Sequence, residues 1–102
     1  VNIPKKINIF SAEYKIILHD GDKWNDSKIE MYGQIIYDKR EIHICKNQPD
    51  DGIIQTLIHE ILHAIIYSLN IEEIENNKNY ERIVDTLATG LSDVIIRNKM
   101  LK

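Results

Sequence analysis

The run His59-Glu60-Ile61-Leu62-His63 sets two imidazoles four residues apart with a carboxylate next to the first. On an α-helix, residues four apart lie one above the other, so His59 and His63 can reach one metal ion. Glu60 sits beside them on the same edge. From there its carboxylate can take a proton from a metal-bound water without itself ligating the metal. The chemistry such a pattern suits is hydrolysis by an activated water. The plain alternative is a solvated polar stripe carrying two surface histidines.

A catalytic zinc ion usually has three protein ligands and one open position, so a third ligand must come from elsewhere. The segment Tyr80 to Leu91 offers it. Apolar Ile83, Val84, Leu87, Leu91, Val94 and Ile95 recur there at helical intervals, and Glu81 and Asp85 stand four apart on one face. Glu81 can ligate the metal while Asp85 accepts the N–H of a ligand histidine, which fixes its tautomer and orientation. The opposite assignment, with Asp85 as ligand, is the runner-up. An acidic pair that merely faces water is the plain alternative.

His59-Glu60-x-x-His63 followed eighteen residues later by Glu81-x-x-x-Asp85 resembles the gluzincin arrangement, in which a second helix gives a glutamate ligand and a supporting aspartate. Tyr32 to Asp38, Ile42-His43-Ile44, Gln55 to Ala64 and Glu81 to Leu91 extend the resemblance over residues 30 to 98. Across that stretch the chain is similar to small phage- and mobile-element-associated metallopeptidase domains related to the ImmA/IrrE family. The resemblance implies a minimal zincin, one Zn2+ ion, a peptide or protein substrate, and a sheet whose edge strand borders the cleft. Either residues 41–45 or their hairpin partner would then pair with an extended peptide by strand addition. One departure stands out. Larger gluzincins carry an oxyanion-stabilising histidine or tyrosine on a further domain, for which this chain has no room.

The mechanism expected is zinc held by His59, His63 and Glu81, with Glu60 taking a proton from the bound water and returning it to the leaving amine. The oxyanion needs a donor beyond the metal. Tyr67, Tyr80, His43 and Arg82 are the candidates, while His19 reads as structural. The competing reading is a metal-binding regulatory module on the same scaffold with little or no hydrolytic activity. An intact Glu60 argues against it, since a pure binding module has no chemical need for that carboxylate. A structural metal site fits least, because two His and one Glu leave a coordination position open.

These residues need elements to hold them. Ile53, Ile54, Leu57, Ile58, Ile61, Leu62, Ile65, Ile66 and Leu69 recur at helical spacing and predict a helix over 52–69. Thr56, His59, Glu60, His63 and Tyr67 share its remaining face. Asp50 and Asp51 ahead of it suit a helix N-terminus. A second helix is predicted over 79–99, after an acidic, Asn-rich loop at 70–79. Upstream, residues 7–19 are rich in strand formers and read as one long bent strand or two short ones. Asp20-Gly21-Asp22 reads as a turn, and 24–28 as a polar connection with Trp24 as a core lid. Residues 30–37 and 41–45 form a hairpin turning at Asp38-Lys39-Arg40. Strands first and helices after predict an α+β fold, an antiparallel-rich N-terminal sheet packed on two C-terminal helices.

Composition agrees with a single domain spanning residues 1–102, able to bury one modest core. Hydrophobic residues make up 43% and charged residues 28%, ordinary for a globular protein. A net charge of −3 without a basic cluster gives no electrostatic case for nucleic acid. The single cysteine, Cys45, excludes an internal disulfide, suits a reducing cytoplasm, and reads as a small buried strand residue. No signal-peptide pattern follows the N-terminus and no segment is expected to approach a membrane span.

Overall fold

The computed structural model describes residues 2–20 and 32–101, which form an α+β fold. Strands β1 (Lys6–Ile9), β2 (Ala12–His19), β3 (Gly33–Ile36) and β4 (Glu41–Cys45) precede helices α1 (Asp50–Leu69), α2 (Glu72–Glu75) and α3 (Tyr80–Arg97). Trp24, most of the turn expected at 20–22 and the start of the strand expected at 30 lie outside the described residues.

The N-terminal strand-forming run is two strands. Phe10 adopts a left-handed conformation (φ 56°) at the turn, and β1 and β2 pair antiparallel with Ile9 opposite Ala12. β3 and β4 form the expected hairpin through residues 37–40. There the Arg40 N–H donates to the Tyr37 carbonyl at 3.1 Å, and Arg40 takes φ 52°. The sheet order is β1-β2-β4-β3, with β2 and β4 parallel and the outer pairs antiparallel. β4 is therefore interior, and of the two strands that could border a cleft its hairpin partner β3 is the one at the sheet's end among the described residues.

Side chains alternate across a strand, and the inner face of this sheet is built that way. Ile42 and Ile44, both 0% exposed, join Ile9, Tyr14 and Ile16 against Ile53, Leu57 and Ala64 of α1. A second stripe of α1, Ile54 and Ile58 with Leu62, packs on Ala88, Ile95 and Ile96 of α3. The sheet thus rests on α1, and α3 docks on α1. α1 spans 20 residues and contains an 18-residue stretch of mean hydropathy 1.3, long and apolar enough to cross a membrane by those measures alone, which corrects the expectation that no segment approaches a span. Its apolar stripes are taken by the sheet and α3.

α1 ends where Asn70 turns left-handed (φ 53°) and donates its N–H back to the Tyr67 carbonyl at 3.2 Å, a stop that Asn tolerates well. The connection read as a loop contains the single turn α2, with Ile71 and Ile74 half-buried. It returns the chain so that the first turn of α3 crosses α1 at His63.

Candidate metal centre

His59, Glu60 and His63 occupy the middle of α1, and Glu81 the first turn of α3. The centre of the polar face of α1 is shielded from solvent: Glu60 is 6% and His63 8% exposed. His63 Nε2 lies 3.1 Å from His59 Nε2 and 3.2 Å from Glu81 Oε1, and His59 Nε2 lies 3.5 Å from Glu81 Oε2. Two ligand atoms on a tetrahedral zinc ion are about 3.3 Å apart at ordinary zinc–ligand bond lengths. His59, His63 and Glu81 thus form a group that could hold a metal ion.

The outer ring nitrogens are engaged as well. His59 Nδ1 faces Asp85 Oδ1 at 3.5 Å, and His63 Nδ1 lies 2.6 Å from the Tyr80 hydroxyl. Asp85 therefore sits on the far side of the His59 ring, the place for an orienting acceptor, while Glu81 faces both Nε2 atoms. With Nε2 given to a metal, each Nδ1–H donates outward to its partner, which fixes both tautomers. Burial lowers the His63 pKa and His59 lowers it further, while Glu81 acts the other way. The net depression favours the neutral imidazole that a metal needs.

Glu60 stands apart from this group. Its carboxyl has no hydrogen bond or salt bridge to any other described residue. Burial, aided by the charge of Glu81, pushes its pKa to about 7. A proton acceptor matched to neutral pH is what general-base catalysis favours. Across from it, the edge strand approaches very closely. A Cβ on Gly33 would lie 2.4 Å from Thr56 Cγ2 and 3.2 Å from Glu60 Oε2, so only glycine lets β3 pass there.

A cleft runs along β3 on both sides of Gly33, His59 and Glu60. One half, about 410 Å³, is lined by Tyr32, Gln48, Gln55 and Thr56, and the other, about 460 Å³, by Ile35, Tyr37, Tyr67, Tyr80 and Glu75. Of the expected oxyanion or substrate contacts, Tyr67 lines the second half and stacks on Tyr37, ring centroids 4.1 Å apart. Tyr80 also lines it, but its hydroxyl lies 2.6 Å from His63 Nδ1, which places it to orient that imidazole. His43 is corrected. Ile42 and Ile44 face α1, so His43 points to the other face of the sheet, where it meets His19 and Glu41. Arg82 is exposed and lines neither half. Gly33, Tyr37 and Glu75 escaped the sequence reading; only the Tyr32-Gly33 step at the start of a strand gave a signal, as a glycine that invites close backbone approach. Comparison with protein-family models, curated proteins and solved structures finds no match.

Proposed function

We propose that this protein is a zinc-dependent metallopeptidase acting on an extended segment of a peptide or protein. The observation that carries the reading is Glu60, a buried carboxyl with no hydrogen-bond or ion-pair partner among the described residues, set beside a group of two imidazoles and a carboxylate. His59, His63 and Glu81 would hold the ion, and zinc bound there would lower the pKa of a water and polarise a scissile carbonyl. Glu60 is the residue placed to accept the proton that such a water would release and to return it to the leaving amine. Asp85 and Tyr80 hold the two imidazoles in their ligating tautomers. Among the described residues β3 ends the sheet, and its outer edge would give the substrate backbone a strand to pair with. The likeness of His59-Glu60-x-x-His63 and Glu81-x-x-x-Asp85 to phage-related domains of the ImmA/IrrE type belongs to the same proposal.

The test is metal content by mass spectrometry joined to peptide hydrolysis, for wild type, Glu60→Gln, His63→Ala and Glu81→Ala. Wild type and Glu60→Gln are expected to retain one zinc each, the two ligand variants to lose it, and only wild type to hydrolyse peptide. Zinc retained without hydrolysis of any peptide or protein offered would replace this reading with a metal-dependent interaction module. A wild-type protein that binds no zinc after reconstitution would overturn both.

A further inference from the structure

The half of the cleft beyond His63 differs chemically from its neighbour. Tyr37 and Tyr67 stack with rings 16° from parallel, which covers one face of Tyr67 and leaves that residue 52% exposed. Glu75, half-buried on α2, lines the same cavity, and its charge is felt by the phenols of both Tyr37 and Tyr80. No hydrogen bond or ion pair to a described residue engages the Glu75 carboxylate, and it lies outside the His59, His63 and Glu81 group. A dication at that group would compensate Glu81 and leave Glu75 with its charge. The wall then offers aromatic faces and one uncompensated carboxylate, the combination that attracts an ammonium or guanidinium head on an apolar stem. The half lined by Tyr32, Gln48, Gln55 and Thr56 holds no stacked aromatic pair among the described residues, and its one further carboxylate, Asp85, faces His59 Nδ1 at 3.5 Å rather than standing alone.

We propose that the Tyr37–Tyr67–Glu75 half of the cleft is a specificity subsite for an arginine or lysine side chain of the peptide substrate. The proposal rests on the peptidase reading, deepening it by a substrate class. The asymmetry of the two halves sets the cationic residue at one fixed position relative to the cleaved bond. Ile35 and the aromatic rings hold the aliphatic stem, and Glu75 meets the charge.

The experiment has two arms. In the first, zinc-loaded protein digests a degenerate peptide mixture and the cut sites are read by mass spectrometry. Arg and Lys are expected to concentrate at one position, and Glu75→Gln to lower kcat/KM on an arginine peptide at least about tenfold, with little change on its norleucine counterpart. In the second, zinc-loaded Glu60→Gln binds the same two peptides. It is expected to favour arginine, and Glu60→Gln/Glu75→Gln to lose the preference. Hydrolysis without a basic preference, or with one that Glu75→Gln leaves intact, overturns the subsite while the peptidase reading stands. If nothing is hydrolysed that reading falls, and the binding arm alone decides: an arginine preference that depends on Glu75 supports the subsite, and equal binding of the two peptides overturns it.

Discussion

Gly33 and Tyr80 show how much a site can depend on residues that carry no chemistry of their own. A Cβ at position 33 would overlap Thr56 Cγ2 at 2.4 Å and crowd Glu60 Oε2 at 3.2 Å. Thr56 has little freedom to yield, because its hydroxyl donates to the Gly52 carbonyl at 2.8 Å within α1. Gly33→Ala is therefore expected to destabilise by about 1–3 kcal/mol, the usual cost of overpacking, read as a lower midpoint in denaturant. Gly90→Ala is the control. Nothing lies within 4 Å of a Cβ there, and alanine in a helix interior gains roughly 0.5–1 kcal/mol over glycine. Tyr80→Phe keeps the ring and removes only the hydroxyl 2.6 Å from His63 Nδ1. Zinc affinity should fall by about 10–100-fold with the fold intact, as loss of a ligand's orienting partner commonly produces; a chelator competition titration measures it. His59, Glu60 and His63 were legible in the sequence because their relation is local, set by the helical repeat. Gly33, Tyr37 and the place of Tyr80 on His63 Nδ1 were not, since each matters only once a strand or second helix is laid against α1.

At the scale of elements, the sheet carries a polar chain on the face away from α1. His19 Nε2 lies 2.6 Å from His43 Nδ1, and His43 Nε2 lies 3.0 Å from Glu41 Oε1, so β2 and β4 are joined by side chains as well as by their parallel ladder. Burial, with His43 beside it, lowers the pKa of His19 below the ordinary 6.5. The unfolded chain then takes up that proton more readily than the folded one. The associated stability is fully present above the unfolded value and is lost as pH falls from there through the folded value. The melting temperature of wild type should therefore fall more steeply than that of His19→Gln between about pH 7 and 5; parallel profiles would show that His19 is not the group responsible. The elements themselves were largely legible: both long helices and the hairpin follow from spacing and turn residues. Two features were not. The parallel pairing of β2 with β4 is a long-range choice that strand composition does not encode. The buried face of α3 runs through Val84, Ala88 and Ser92, while Leu87, Leu91 and Val94 are about half exposed, so apolar spacing, right at Val84 and Ile95, marked that face only in part.

For the whole molecule, the question is what keeps α3 in place. The sheet and α1 share a contiguous core of isoleucines, tyrosine and leucine, whereas α3 meets α1 through Ala88, Ile95 and Ile96 against Ile54, Ile58 and Leu62. Fewer buried residues line that second contact, and the group that could hold a metal spans it, with His59 and His63 on α1 and Glu81 on α3. A metal ion held there would tie the two helices together at the end of α3 where its first turn begins. Any ligand that binds only the folded chain stabilises it by mass action, about 2.7 kcal/mol at a free concentration one hundred times Kd. For a domain of this size that is a rise in Tm of roughly 10–20 °C. The distribution of the effect is the sharper test. Amide hydrogen exchange should slow most in α3 when zinc is added, because α3 is the element whose docking gains a cross-link, and least in β2 and β4, already held by the core. Glu81→Ala should lose both the rise in Tm and the protection of α3. Equal slowing across sheet and helices in wild type would instead mean that α3 is already docked as firmly as the core, and that the ion reads out global stability rather than fastening one helix to another.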